Sequence, residues 1–409
     1  MKQLNTLLEA HKRERDGILR RSLLPRQMSA AIAKALPSPL VKVITGPRRS
    51  GKSTLAFQTL ADKRFSYLNF EDDALQKDVS SDALIEAMDQ VYGKTDYIFF
   101  DEIQNYPQWE SFINKLHRRE RNIMITGSNS RLLSRELGSA LTGRHLSFEL
   151  MPFSYSEFLS GHPGDSLDNF RHYLTWGGFP EVVLGHAEPQ GYLRTLFDSV
   201  VLRDIVTRHR IRSSTAIYDL LNLLVNSAAS RFSGRSLERS LGFLSIATIQ
   251  KFISYFREAY LVQDLQPYFF KPRLRIKSER KIYTYDNGFI SALSQPALSN
   301  DPRLLENLVF IELVRRGFKP NLDLFYYQTE VGTEVDFLLR NGSSNIELIQ
   351  VSQILSSQKT RERELRSLTQ AARELKVKKM TIVTLDTEEQ IKQEGAKIEV
   401  VPCRKWLLR

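Results

Sequence analysis

The stretch that most constrains what this chain can fold into is GPRRSGKS, Gly46 to Ser53. Lys42-Val43-Ile44-Thr45 before it reads as a short buried strand, and Thr54 to Leu60 after it has helical spacing. Strand, glycine loop and helix are the context in which the pattern G-x-x-x-x-G-K-[ST] carries mechanical meaning. Gly46 and Gly51 allow backbone conformations closed to other residues. The loop through Pro47, Arg48, Arg49 and Ser50 can then turn its N–H groups toward phosphate oxygens, helped by the first helical turn at Thr54. Lys52 is expected to meet the outer phosphates and Ser53 to ligate a divalent cation.

A second site follows about fifty residues later, where Tyr97-Ile98-Phe99-Phe100 runs into Asp101-Glu102. A buried strand ending in two carboxylates suits a Walker B element: Asp101 holds the hydration shell of Mg²⁺ and Glu102 polarises an attacking water. ATP and Mg²⁺ are therefore the expected cofactors, with Ser53 and Asp101 as the metal residues and Lys52, Asp101 and Glu102 as catalytic ones. Arg64 to Phe70 reads as another strand, ending in Glu71-Asp72-Asp73, read as loop acids or a helix cap. Gln108 to Glu120 reads as a helix, and Asn122 to Thr126 as a buried strand closed by Gly127-Ser128-Asn129-Ser130. Ser128 and Asn129 are expected either to sense the γ-phosphate or to cap the helix beginning near Arg131. Arg144 is placed to meet phosphate in cis or in a neighbouring subunit.

Composition narrows the setting. A chain of 409 residues with 42% apolar content can bury two or three domain cores. Its one cysteine, Cys403, allows no intramolecular disulfide, which suits a reducing cytoplasmic compartment. The first thirty residues mix charges, and no run approaches the ~18 apolar residues of a membrane span. The formal charge of +11 is concentrated: Arg194 to Lys281 holds sixteen Lys/Arg against seven Asp/Glu. Such a stretch faces nucleic acid or is an ordinary solvated surface.

Taken in order, GPRRSGKS, IFFDEIQ at 98–104, ITGSNSRLL at 125–133 and LTGRHLSFELMPFSYSEF at 141–158 resemble the AAA-type ATPases of bacteria and archaea. GGFPE at 177–181 and LRDIVTRHRI at 202–211 resemble, more narrowly, a subfamily in which the ATPase precedes an uncharacterised C-terminal module. The resemblance implies an ATP-hydrolysing core, a winged-helix segment and a nuclease-like C-terminal fold. The expected architecture is α/β: an N-terminal helical extension over 1–40, a P-loop NTPase parallel-sheet domain with a helical tail over 41–200, a winged-helix module over 201–290, and a restriction-endonuclease-like α/β domain over 300–409.

Three helical stretches, Ile217 to Ala228, Ser236 to Leu241 and Thr248 to Ala259, precede two strands, as in a winged helix-turn-helix. Lys251, Arg257, Lys271, Arg273, Arg275 and Lys277 are expected to meet DNA phosphates, unless the module docks a protein partner instead. The last domain resembles the PD-(D/E)XK fold, with Glu306 on a helix and Asp336 on a strand. Gln350 and Ser352 stand where that pattern has an acid and a lysine, so Mg²⁺ would be held weakly there and cleavage lost. The expected activity is Mg²⁺-dependent ATP hydrolysis driving movement of the C-terminal modules on DNA. The alternatives are an ATP-gated nuclease or a nucleotide-dependent switch for a protein partner, and a homo-oligomer is compatible with all three.

Overall fold

The computed structural model describes residues 2–75, 79–128, 141, 143–212, 214–271, 273, 278–294, 301–355, 357–393 and 396–409. Asn129, Thr142, Arg275 and Lys277 lie outside them. The chain divides into two compact units, Met1–Pro152 and Phe153–Arg409.

In the first unit the order is α1 (Lys2–Leu19), α2 (Met28–Ala35), β1 (Val41–Thr45), α3 (Lys52–Leu60), β2 (Phe65–Asn69), α4 (Ser81–Tyr92), β3 (Tyr97–Asp101), α5 (Trp109–Arg118), β4 (Asn122–Gly127) and β5 (His145–Glu149). The strands form a parallel sheet in the order β2-β3-β4-β1-β5. Helices cover both faces, so the central strands read as continuous apolar runs such as Ile98-Phe99-Phe100, all buried. Phe57 of α3 packs edge-on to Tyr67 of β2 and Phe99 of β3, centroids 4.9 and 5.3 Å away. α4 starts at Ser80, whose hydroxyl accepts from Ala83 N at 3.2 Å, and ends before Gly93 at φ 69°. The segment expected to be an extension is part of this core: Leu8 of α1 is fully buried among Val43, Leu68 and Ile98, and α1 packs on α4 and β2.

The first unit closes at Pro152, well before the boundary expected at 200. The second unit continues with α6 (Tyr155–Gly161), α7 (Leu167–Trp176), α8 (Pro180–Val183), α9 (Pro189–Val200) and a π-helical turn over Val201–Thr207. Then come α10 (Ser214–Asn226), β6 (Arg231–Phe232), α11 (Gly234–Leu241), α12 (Ile246–Glu258), β7 (Val262–Leu265), β8 (Arg280–Thr284) and α13 (Asn287–Leu293). Residues 153–200 belong here because α7 and α9 pack on α13. The double glycine of GGFPE fixes that packing. A Cβ on Gly177, whose φ is 73°, would lie 1.8 Å from Asp286 Oδ1, and one on Gly178 would lie 2.1 Å from Phe153 O. Gly178 N instead donates to Asp286 Oδ2 at 2.8 Å, and Pro180 opens α8.

The remainder is α14 (Asp301–Arg315), β9 (Leu324–Gln328), β10 (Glu334–Asn341), β11 (Ser344–Val351), α15 (Gln358–Leu375), β12 (Lys379–Thr384), β13 (Glu389–Gln393), β14 (Ala396–Pro402) and α16 (Cys403–Leu407). Its strands make a mixed sheet in the order β13-β14-β12-β11-β10-β9, and β6-β8-β7 make a smaller antiparallel one. Tyr268 N donates to Tyr326 O at 2.8 Å beside β9, joining the regions expected to be separate middle and last domains.

Candidate nucleotide-binding site

β1 delivers the glycine loop to the C-terminal edge of the parallel sheet, where open α/β sheets bind ligands. Gly46 has φ 145° and Gly51, the residue before α3, has φ 91°. A side chain on Gly46 has no room, since its Cβ would stand 2.0 Å from Leu150 O. Arg49 is also held at positive φ, 64°, where a non-glycine residue is strained. From beneath, Arg26 steadies the loop: Nη1 donates to Ser50 O at 2.8 Å and Nη2 to Met151 O at 2.6 Å.

The strand order explains how the remaining groups converge. β4 lies between β1 and β3, so a polar residue at its tip stands between the loop and the two carboxylates. That residue is Thr126. Its hydroxyl donates to Asp101 Oδ1 and accepts from Glu102 N at 3.0 Å. Ser53 Oγ donates to the same Asp101 oxygen at 2.9 Å. Lys52 is only 4% exposed, with Nζ 3.0 Å from Pro47 O, 3.3 Å from Gly46 O and 3.7 Å from Glu102 Oε1. Glu102 sits at φ 49°, ψ 46°, a strained conformation that aims its carboxylate toward the loop lysine, and Gln104 Nε2 donates to it.

The two acids are driven apart electrostatically. Burial and the Glu102 charge push the Asp101 carboxyl up to about 6, against the hydroxyls of Thr126 and Ser53 and the Lys52 charge. Burial also works on Glu102, but the charge of Lys52, the Gln104 amide and the charge of Arg48 hold it below its ordinary range. Both are ionised at neutral pH, and as pH falls Asp101 takes up its proton first while Glu102 stays anionic.

Of the expected residues, the structure brings together Gly46, Lys52, Ser53, Asp101 and Glu102. Ser128 is buried just past the end of β4, and its hydroxyl makes no hydrogen bond to Glu102. Arg48 lies at the rim, paired with Glu71 at 2.9 Å. Thr126, Arg26 and Gln104 were not anticipated. A threonine ending the apolar run Asn122 to Thr126 was the available signal for the first.

Arg144 does not join them. Its carbonyl accepts from Val41 N at 3.0 Å, and His145 pairs with Val41 at the start of the parallel pair. The side chain therefore lies at the opposite edge of the sheet from the loop, about 17 Å away along a five-residue strand. The expected cis contact is thereby corrected. In the second unit the Arg257 guanidinium is partly engaged: one of its nitrogens, with one from Arg280, holds buried Asp264, at 3.0 and 2.8 Å. Lys251, Lys271 and Arg273 are exposed.

The AAA domain family matches residues 38–159, and two domains of unknown function, DUF8612 and DUF4143, match residues 167–302 and 303–406. An uncharacterised protein of Methanocaldococcus jannaschii is 35% identical, over 92% of this chain and 89% of its own length. The chain belongs to that protein's family. It is an AAA-type P-loop ATPase by its first domain, whose sheet carries the glycine loop and acids just described. A Haemophilus influenzae relative of this AAA-type ATPase is 31% identical over 73% of the chain and 79% of its own. Among solved structures, a Walker-type ATPase of Pyrococcus abyssi superposes with a TM-score of 0.48 at 14% identity, covering 67% of this chain and 97% of that one. Among the described residues, no helix is long and apolar enough to cross a membrane.

Proposed function

We propose that this ATPase hydrolyses ATP with Mg²⁺ and uses the cycle to act on DNA through its second unit. The observation that carries the hydrolytic part is the convergence of the Ser53 and Thr126 hydroxyls on one Asp101 carboxylate oxygen beside the Lys52–Glu102 pair. The donor set fits the metal: a hydroxyl and a carboxylate are hard oxygen ligands of the kind Mg²⁺ takes. Bound Mg²⁺ would neutralise charge on the β- and γ-phosphates. Ser53 and Asp101 would hold it, and Lys52, now resting on neutral carbonyls, is free to turn to phosphate oxygens. Glu102, anionic and fixed by its backbone, orients a water and accepts its proton.

For the second unit, α10–α12 followed by antiparallel β7 and β8 support a winged-helix reading over 201–290. The mixed sheet flanked by α14 and α15 supports a nuclease-like fold over 300–409 without cleavage, as Gln350 and Ser352 replace the acid and the lysine. The charge surplus between Arg194 and Lys281 supports DNA as the partner. Phosphate release and retardation of duplex DNA, each measured with and without ATP, test the proposal. Mg²⁺-dependent turnover and salt-sensitive, nucleotide-dependent retardation are expected. Turnover without any retardation would favour the protein-docking switch.

The far-edge position of Arg144 favours a role in a neighbouring copy. It shares a pocket with His117, Arg118 and Glu120, out of reach of its own loop. Turnover per chain should then rise with protein concentration as assemblies form. A flat rate across a dilution series, with sedimentation showing monomers throughout, would remove that role.

A further inference from the structure

The charge surplus between Arg194 and Lys281 is not spread evenly over the second unit. Part of it is used inside. Lys281 is 3% exposed, with Nζ 2.7 Å from Glu306 Oε1 and Glu334 Oε1 and 2.8 Å from Asp336 Oδ1. Arg231 pairs with Glu334, and Arg257 and Arg280 share Asp264. Among the described residues the densest remainder is Arg203 to Arg212, four arginines and a single acid in ten residues. That acid, Asp204, is buried, whereas Arg203, Arg208, Arg210 and Arg212 are all exposed. Among the described residues none of the four has a carboxylate partner.

The backbone holds those side chains outward. Val201–Thr207 is a π-helical turn, in which Thr207 Oγ1 donates to Leu202 O at 2.9 Å. Bonds in such a turn join residues five apart, so Arg203 and Arg208 stand near the same side. Arg210 then takes φ 51°, a conformation that residues with side chains seldom adopt, and Ile211 N donates back to Val206 O at 3.0 Å. His209, between Arg208 and Arg210, fastens the segment: its ring stacks on Tyr255 of α12, with centroids 3.5 Å and planes 13° apart. Lys251 Nζ lies 5.9 Å from the centre of the same Tyr255 ring. Exposed Lys251 and the arginine segment therefore meet at one aromatic ring and form one basic face.

We propose that this face, Arg203, Arg208, Arg210 and Arg212 with Lys251, is where the second unit meets the phosphate backbone of duplex DNA. The proposal rests on the DNA reading above and gives it a location outside the two strands and link expected to form the wing. Guanidinium groups suit phosphate because their paired N–H donors match two oxygens at once, and four of them on a pre-ordered turn face a regularly spaced polyanion. A protein partner calls for apolar anchors at the middle of the face. Among residues 201–212, all described, Leu202 is the one large apolar side chain that is exposed. A platform for single strands calls for open aromatic rings, and Tyr255 is covered by His209.

The test is a fluorescence-anisotropy titration of the full-length protein, with and without ATP, against a labelled duplex of arbitrary sequence over a range of salt concentrations. The unmodified protein should bind in at least one of the two conditions, with a steep salt dependence. The triple variant Arg203→Gln, Arg208→Gln, Arg212→Gln leaves the strained Arg210 in place. It should bind at least about tenfold more weakly, with the slope of log K on log salt shallower by roughly two to three. Arg208→Gln alone should remove roughly one from that slope, equally on a second, unrelated duplex. Arg203→Lys, Arg208→Lys, Arg212→Lys, which keeps the charges, should keep the slope. An unchanged slope in a triple glutamine variant of normal melting temperature would overturn this placement and leave the DNA reading standing. No binding by the unmodified protein would end both. The placement would also fall if the lysine variant lost as much as the glutamine one, or if polyglutamate or single-stranded DNA outcompeted the duplex.

Discussion

Two buried lysines, each facing carboxylates, behave in opposite ways in this molecule. Lys52 rests on two carbonyls of its own loop and stands 3.7 Å from Glu102, so its charge is lightly held. Lys281 is gripped by three carboxylates at 2.7–2.8 Å. Breaking such a buried grip leaves uncompensated charges and costs several kcal/mol, whereas turning Lys52 toward a phosphate replaces weak contacts by stronger ones. A lysine meant to meet a ligand is kept under-satisfied; one that holds buried carboxylates together is saturated.

The comparison breaks most easily at the loop. Lys52→Ala should weaken nucleotide binding and abolish turnover while the melting temperature of the nucleotide-free protein stays within a few degrees, because little in the resting fold depends on it. Glu102→Gln should keep nucleotide binding and lower turnover by roughly 10² to 10⁴. Steady-state phosphate release, fluorescent-nucleotide titration and thermal melts separate the outcomes, and normal turnover in Glu102→Gln would remove it from the catalytic role.

A smaller effect sharpens the same contrast through pH. The Asp101 carboxyl, raised to about 6, is protonated below that point and ionised above it. Mg²⁺–nucleotide affinity should therefore fall as pH drops through about 6. Thr126→Val removes a hydrogen bond that favours the ionised form, so the acid limb should move to higher pH, with turnover down about tenfold at neutral pH. An unshifted limb in Thr126→Val would mean that the hydroxyl does not set the charge of Asp101.

The loop and the acids were legible because glycine, lysine and paired carboxylates announce themselves locally. Gly46 and Gly51 mark the turn, and Asp101-Glu102 ends an apolar run. Thr126 was not legible, because its importance depends on β4 being inserted between β1 and β3, and strand order is a property of long-range pairing that no local pattern states. The same limit explains Arg144: its number places it after the site, while the parallel direction of β5 places it at the far edge. In the second unit the α11, α12, β7 and β8 segments followed from periodicity and caps. Lys281 was read as one member of a basic stretch; only the docking of β8 against β10 and α14 turns it inward. Nor was the pairing of Arg257 legible, since its partner Asp264 lies on the following strand.

Arg26 gives the N-terminal segment a mechanical part. One buried guanidinium, 6% exposed, is fastened both to the back of the phosphate loop and to the backbone at Met151. Met151 lies two residues before the chain passes into the second unit. Loop and exit segment share one anchoring side chain through two short hydrogen bonds. The first thirty residues thus act as a splint with a rivet in it, one guanidinium tying the loop to the backbone at Met151.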